Sequence, residues 1–122
     1  MRAPWFIPTI PVLIAVLVVS SAFGQLVSIA TLLGNPDRYD GQVVTVVGMI
    51  SGYRERVSRA GNPYTTFRLE EGGSSVAVFA WGRQRLQDGL RVRVTGVFQK
   101  VRRVGRYTFY NEIEAQRIER LR

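Results

Sequence analysis

Neither histidine nor cysteine occurs in the 122 residues. That removes the commonest general base, the thiolate nucleophile, most zinc ligands and any disulfide. The nine acids are scattered along the chain. Glu70 and Glu71 open a turn, Glu112 and Glu114 share one face of an alternating segment and read as solvated, and Ser74-Ser75 has no base beside it. No catalysis, metal site or cofactor is expected. The chemistry the chain does carry is arginine. Arg54, Arg56 and Arg59 fall within GYRERVSRAGNP, and Lys100, Arg102, Arg103 and Arg106 within QKVRRVGR, with Glu55 the single acid among them. A guanidinium grips phosphate or carboxylate with a planar fork and stacks on rings. Rings are interleaved with this charge: Tyr53 and Tyr64 flank the first cluster, Tyr107, Phe109 and Tyr110 follow the second, and Phe79 and Trp81 lie between. Cations beside aromatic faces hold single-stranded nucleic acid, and a formal net charge of +8 points to an anionic partner. The plainer reading, polar loops in an arginine-rich chain, stays open.

These residues need a frame to bring them together. Residues 26–40 predict a short helical lead-in, capped by Ser28, with Ile29, Leu32 and Leu33 at helical spacing and a stop at Gly34-Asn35-Pro36; PDRYDG then reads as a turn. From Gly41 onward the period becomes two, and five strands are expected. The first runs to about Gly52, the second spans Tyr64–Glu70, and the third spans Val76–Trp81 after a Gly72-Gly73 turn. Residues 82–88 form a short helix or turn; the fourth strand runs from Leu90 to Gln99 and the fifth from Arg106 to about Ile118. GQVVTVVGMI (41–50) and GLRVRVTGVF (89–98) are near copies, with Gly48 and Gly96 set inside β-branched runs. A residue without Cβ lets a strand bend or bulge, so the repeat reads as a barrel-closing device whose two copies lie side by side and antiparallel.

The pattern G-x-x-V-x-V-x-G entering two strands, F-x-L before an acidic-glycine turn, a valine-rich third strand and the closing IEAQRIE resemble an OB-fold nucleic-acid-binding domain of the anticodon-binding type. The lead-in SIATLLGNPDRYDG is similar to that of small exported bacterial OB proteins. The resemblance implies an all-β, five-stranded Greek-key barrel over residues 41–119, preceded by the helical lead-in at 25–40. It also implies a ligand face on the second and third strands, between the two arginine-rich loops. The candidate anion-binding residues are then Arg54, Arg56, Arg59, Tyr64, Arg68, Phe79, Trp81, Lys100, Arg102, Arg103, Arg106 and Tyr107. If Val76, Val78 and Ala80 face the core, Phe79 and Trp81 face outward with Tyr64, Thr66 and Arg68; a one-residue shift buries both rings instead. Phe67, Leu69, Phe98, Ile113 and Ile118 are core in either register.

Residues 1–24 stand apart. Arg2, an apolar run over Ile10–Val19 and the small-x-small ending Ala22-Phe23-Gly24 suit a signal peptide cleaved before Gln25, with an uncleaved N-terminal anchor as the alternative. The expected location is periplasmic or secreted, with membrane contact only through residues 1–24. The expected function is a non-catalytic module that binds single-stranded nucleic acid or another polyanion. The alternative on the same barrel is a module for an envelope protein, a glycan or a lipid headgroup.

Overall fold

The structure, a computed structural model, describes residues 24–122. Most of the signal or anchor segment therefore lies outside the described residues. β-branched alternation from Val43 onward produces long strands, and the short apolar-periodic stretch before it produces a helix. The elements are β1 (Gln25–Leu26), α1 (Ile29–Gly34), α2 (Pro36–Tyr39), β2 (Val43–Val57), β3 (Pro63–Glu71), β4 (Ser74–Trp81), β5 (Arg91–Val104) and β6 (Tyr107–Arg120). β2 pairs with β3 and β3 with β4, β4 runs parallel to β6, β6 pairs with β5, and β5 returns to β2, which closes the sheet into a barrel. Closure leaves the central strands no free edge.

The twin phrases lie side by side and antiparallel. Val44 faces Gly96, Thr45 faces Thr95, Val46 faces Val94 and Gly48 faces Val92. Thr45 and Thr95 share a buried hydrogen bond of 3.0 Å across this seam. The two glycines are required by close approach. A Cβ on Gly48 would sit 2.7 Å from the Glu70 carbonyl oxygen, just before β2 exchanges β5 for β3 as its partner. A Cβ on Gly96 would collide with the Glu114 carbonyl oxygen, at the register shift between β5 and β6. The bulge within β2 comes later than the repeat suggests, between Ser51 and Arg54, where Gly52 takes φ +60°.

The lead-in closes one end of the barrel. Ser28 caps α1 by accepting from the Thr31 amide at 3.1 Å, and Ile29 and Leu32 are fully buried. Pro36 starts α2, where the sequence predicts only a turn, and Tyr39 at its end is buried. Val44, Val46, Ile50, Phe67, Leu69, Val76, Val78, Val92, Val94, Phe98 and Ile113 complete the core, while Ile118 is only half-buried. Residues 82–90 form no helix. Arg85 adopts φ +56°, and the segment runs irregularly beside β2.

Most of both arginine-rich stretches is strand rather than loop, with Arg59 and Arg106 left in the turns. β2 continues to Val57 and β3 begins at Pro63, while β5 continues to Val104 and reverses through Gly105-Arg106 into β6. Gly105 has φ +58°, as the first position of a type II′ hairpin turn demands. Charged side chains alternate along these strands as readily as apolar ones, so polarity alone did not mark a loop.

One residue breaks the alternation in β6. Asn111 has φ +52°, and beyond it Glu112 and Ile113 are both buried. Asparagine tolerates the left-handed conformation, whereas a β-branched residue there costs about 1–2 kcal/mol. Asn111→Val is expected to lower stability by that amount and Asn111→Gly to leave it nearly unchanged, as read from urea melts of the two variants.

Candidate nucleic-acid interface

Two ribbons rise from the barrel and enclose a groove of about 920 Å³ over the outer face of β3 and β4. The first ribbon is the outer half of β2 with β3. Its period of two points Arg54 and Arg56 into the groove and sends Tyr53 and Glu55 to the opposite side. There the Tyr53 hydroxyl donates to Glu55 at 2.7 Å and accepts from the Leu86 amide, and the Glu55 carboxylate accepts from the Arg85 amide at 3.0 Å. The Tyr53 hydroxyl, followed by the Arg85 amide, holds the Glu55 carboxyl below its ordinary pKa. The Tyr53 phenol is pushed up, chiefly by burial. The acid that interrupts the first arginine cluster is thus bound to the 82–90 segment, away from the groove. Among the described residues, no acid pairs with Arg54, Arg56 or Arg59.

The floor comes from β3 and β4. Tyr64 stands opposite Trp81 and Thr66 opposite Phe79, with Val76, Val78 and Ala80 in the core. Of the two registers open to the sequence, β4 takes the one that turns Phe79 and Trp81 outward. Trp81 is 56% exposed, but Phe79 is covered on its outer face. Tyr64 stacks on Phe79 at 5.4 Å, Trp81 meets it edge-on at 4.9 Å, and the Arg102 guanidinium lies 5.0 Å above the ring. Arg68 also lines the groove and donates to Ser75 Oγ at 2.8 Å.

The second ribbon, β5 with β6, arches over this floor. Over Tyr107–Tyr110, β6 pairs only with β5. Val104, Tyr107 and Phe109 line the groove from this side. Arg102 lies between the Phe79 and Phe109 rings, 5.0 Å from each, and its Nε donates to Glu112 Oε1 at 2.6 Å. Glu112, which the sequence placed on a solvated face, instead lines the groove and is buried there by its pairing with Arg102 beside the Phe79 and Phe109 rings.

Nine of the twelve candidate residues therefore share the groove: Arg54, Arg56, Arg59, Tyr64, Arg68, Phe79, Trp81, Arg102 and Tyr107. Three do not line it. Lys100 pairs with Asp37 of α2 at 2.6 Å, a contact that raises its pKa, and its amide donates to Asp40. Arg103 stands opposite Thr108 on the exposed ribbon, and Arg106 occupies the turn with its guanidinium 5.8 Å from the Tyr107 ring. Phe109 and Glu112 are groove residues that the candidate set lacks. The lead-in over residues 26–40 contributes nothing to the lining. Among the described residues no cluster of acids could hold a metal ion, and no helix is long and apolar enough to cross a membrane.

No protein-family model matches the sequence, and no curated protein matches it. Solved structures do. A chain in the crystal structure of yeast Stn1 and Ten1 superposes with TM-score 0.64 at 9% identity, over 83% of this chain. A putative aspartyl-tRNA synthetase from Leishmania major Friedlin superposes with TM-score 0.60 at 15% identity, over 86% of this chain. The OB domain of Ta0387 from Thermoplasma acidophilum, solved by NMR, gives TM-score 0.49 at 25% identity over 79% of this chain. The chain spans 64% of the yeast chain and 22% of the synthetase chain. The likeness to the yeast and Leishmania chains is one of fold: β2–β6 form the Greek-key barrel of the OB class, and the two-residue β1 adds to it parallel to β2.

Proposed function

We propose that the protein is a non-catalytic OB module that holds single-stranded nucleic acid, or another linear polyanion, in the groove between the two ribbons. One observation carries this reading: Arg54, Arg56 and Arg59, free of acidic partners, form one wall facing a floor and opposite wall of aromatic rings. Phosphates lie along the arginine wall and bases stack on Trp81, Tyr107 and Phe109. The absence of histidine and cysteine, and the engagement of the groove's one acid with Arg102, support binding without catalysis. The composition of residues 1–24 supports a site of action outside the cytoplasm, in the periplasm or beyond.

Fluorescence anisotropy with the full chain and a labelled single strand at low salt tests the proposal; absence of any binding overturns it. Trp81→Ala is expected to weaken binding roughly tenfold or more, since each base–ring contact contributes roughly 1–3 kcal/mol. Its stability loss is confined to about 1 kcal/mol from the lost ring contacts, because the side chain is largely exposed. A melt and a titration of the same variant separate the two.

A second reading rests on the apolar rim, where Val57, Trp81, Val104, Tyr107 and Tyr110 are all exposed. Such a rim also fits an envelope protein, a glycan or a lipid headgroup. Salt-tolerant capture of such a partner, without oligonucleotide binding, would favour it.

A further inference from the structure

The groove holds one carboxylate among its cations, and that carboxylate is buried. The Glu112 side chain is 8% exposed, while Arg102, its partner, is 24% exposed. A buried ion pair is weak as a stabilising device, because desolvation offsets most of the attraction and an apolar pair of similar volume does as well. A carboxylate also repels the phosphates that the rest of the groove attracts. Its position is nonetheless built: Glu112 lines the groove where β6 pairs with Ala77 of β4, and the guanidinium of its partner lies 5.0 Å from each of two ring centroids.

The pairing leaves capacity unused. Arg102 Nε donates to Glu112 Oε1, and no protein partner among the described residues engages Glu112 Oε2 or competes for the Arg102 Nη groups, other than the two rings. Hydrogen-bond donors and an acceptor thus stand side by side, next to the partly exposed ring of Phe109. We propose that Arg102 and Glu112 read bases in the groove, selecting one with an exocyclic amino group, guanine foremost, over thymine or uracil. This rests on the nucleic-acid reading of the same groove.

The preference follows from base edges. Guanine places a carbonyl beside two adjacent N–H donors: the carbonyl accepts from Arg102 and both donors reach Glu112. Adenine and cytosine offer one amino donor beside ring acceptors, so they satisfy the pair in part. Thymine and uracil flank a single N–H with two carbonyls, whose lone pairs face the carboxylate. A buried acceptor left against another acceptor loses its hydration without return, which is the larger share of the discrimination.

The test uses the full chain and a thymidine strand of about 12 nucleotides, within the span an OB barrel covers. One central position is thymine, guanine or hypoxanthine, which is guanine without its amino group. Guanine is expected to bind roughly tenfold tighter than thymine, the order of one bidentate contact. Hypoxanthine falls between them, about threefold weaker than guanine. Glu112→Gln is expected to erase the guanine preference, so that guanine and thymine strands bind that variant within about twofold of each other. Equal binding of guanine and thymine strands to the wild-type chain overturns the inference and leaves the groove reading standing. Failure of every strand to bind overturns both. A uniform loss across strands in Glu112→Gln assigns the pair to structure and also overturns the inference. Should that variant not fold, the comparison of guanine with hypoxanthine on the wild-type chain decides alone.

Discussion

Replacing Arg54, Arg56 and Arg59 together by alanine is expected to weaken single-strand binding about a hundredfold at 0.1 M salt. Each phosphate neutralised on a single strand releases counterions worth a slope of roughly −0.7 in log K against log salt. Three lost contacts therefore flatten the slope by about 2 and remove about two decades of affinity at that salt. All three side chains lie on exposed backbone at the groove wall without acidic partners, so the melt of the variant is expected to stay within about 0.5 kcal/mol of the wild type. The paired control is Arg103 with Arg106, two cations against three and both outside the groove lining. Their replacement removes the same kind of charge and is expected to change the slope by less than one contact's worth. Equal effects per charge from the two sets would mean that net charge, not the groove, attracts the strand.

The second large effect concerns the barrel itself. Gly96→Ala is expected to cost about 3 kcal/mol or more, a large share of the roughly 5–15 kcal/mol that holds a domain folded. The new Cβ meets the Glu114 carbonyl oxygen and lies 2.8 Å from the Ala115 Cα. Both obstacles are backbone, which cannot rotate aside as a side-chain tip does. The only relief is to separate β5 from β6 at their register shift, and these strands carry the closing seam and the second ribbon. Gly34→Ala is the contrast. A Cβ at Gly34 meets nothing within 4 Å, and it ends a helix, so alanine there is expected to be neutral or to stabilise by up to about 1 kcal/mol. Urea midpoints of the two variants should therefore move in opposite directions or differ sharply. A Gly96→Ala barrel as stable as the wild type would show that the two strands close with room to spare.

Much of the barrel was readable because its signals are local. Period-two valines in two copies of one phrase, a glycine in each and a Gly-Gly turn between Glu71 and Ser74 specify strands and reversals without reference to distant residues. The lead-in helix was readable for the same reason, since Ser28, Ile29 and Leu32 lie within one turn of each other. The 82–90 segment was less so: its Arg85 and Leu86 amides donate to Glu55 and Tyr53 of β2, its own Asp88 accepts from the Tyr53 amide, and no local pattern records those partners.

The candidate site divides along the same line. Residue types and spacing by themselves determined that this chain folds as a small barrel, lacks the usual catalytic side chains and concentrates arginine and aromatic residues around two strand connections. Those properties follow from composition and period, which are written along the chain. Tertiary structure alone decided which of these residues meet. Lys100 was drawn to Asp37 because α2 packs beside β5, Glu55 was turned from the groove because β2 is pleated, and Arg102 was enclosed between Phe79 and Phe109 because a ribbon arches back over the sheet. Glu112 was buried because the same ribbon brings Arg102 and its flanking rings over the position where β6 pairs with Ala77 of β4. Whether a charge is free, paired or buried depends on neighbours brought from tens of residues away, and closing the barrel is what brings them.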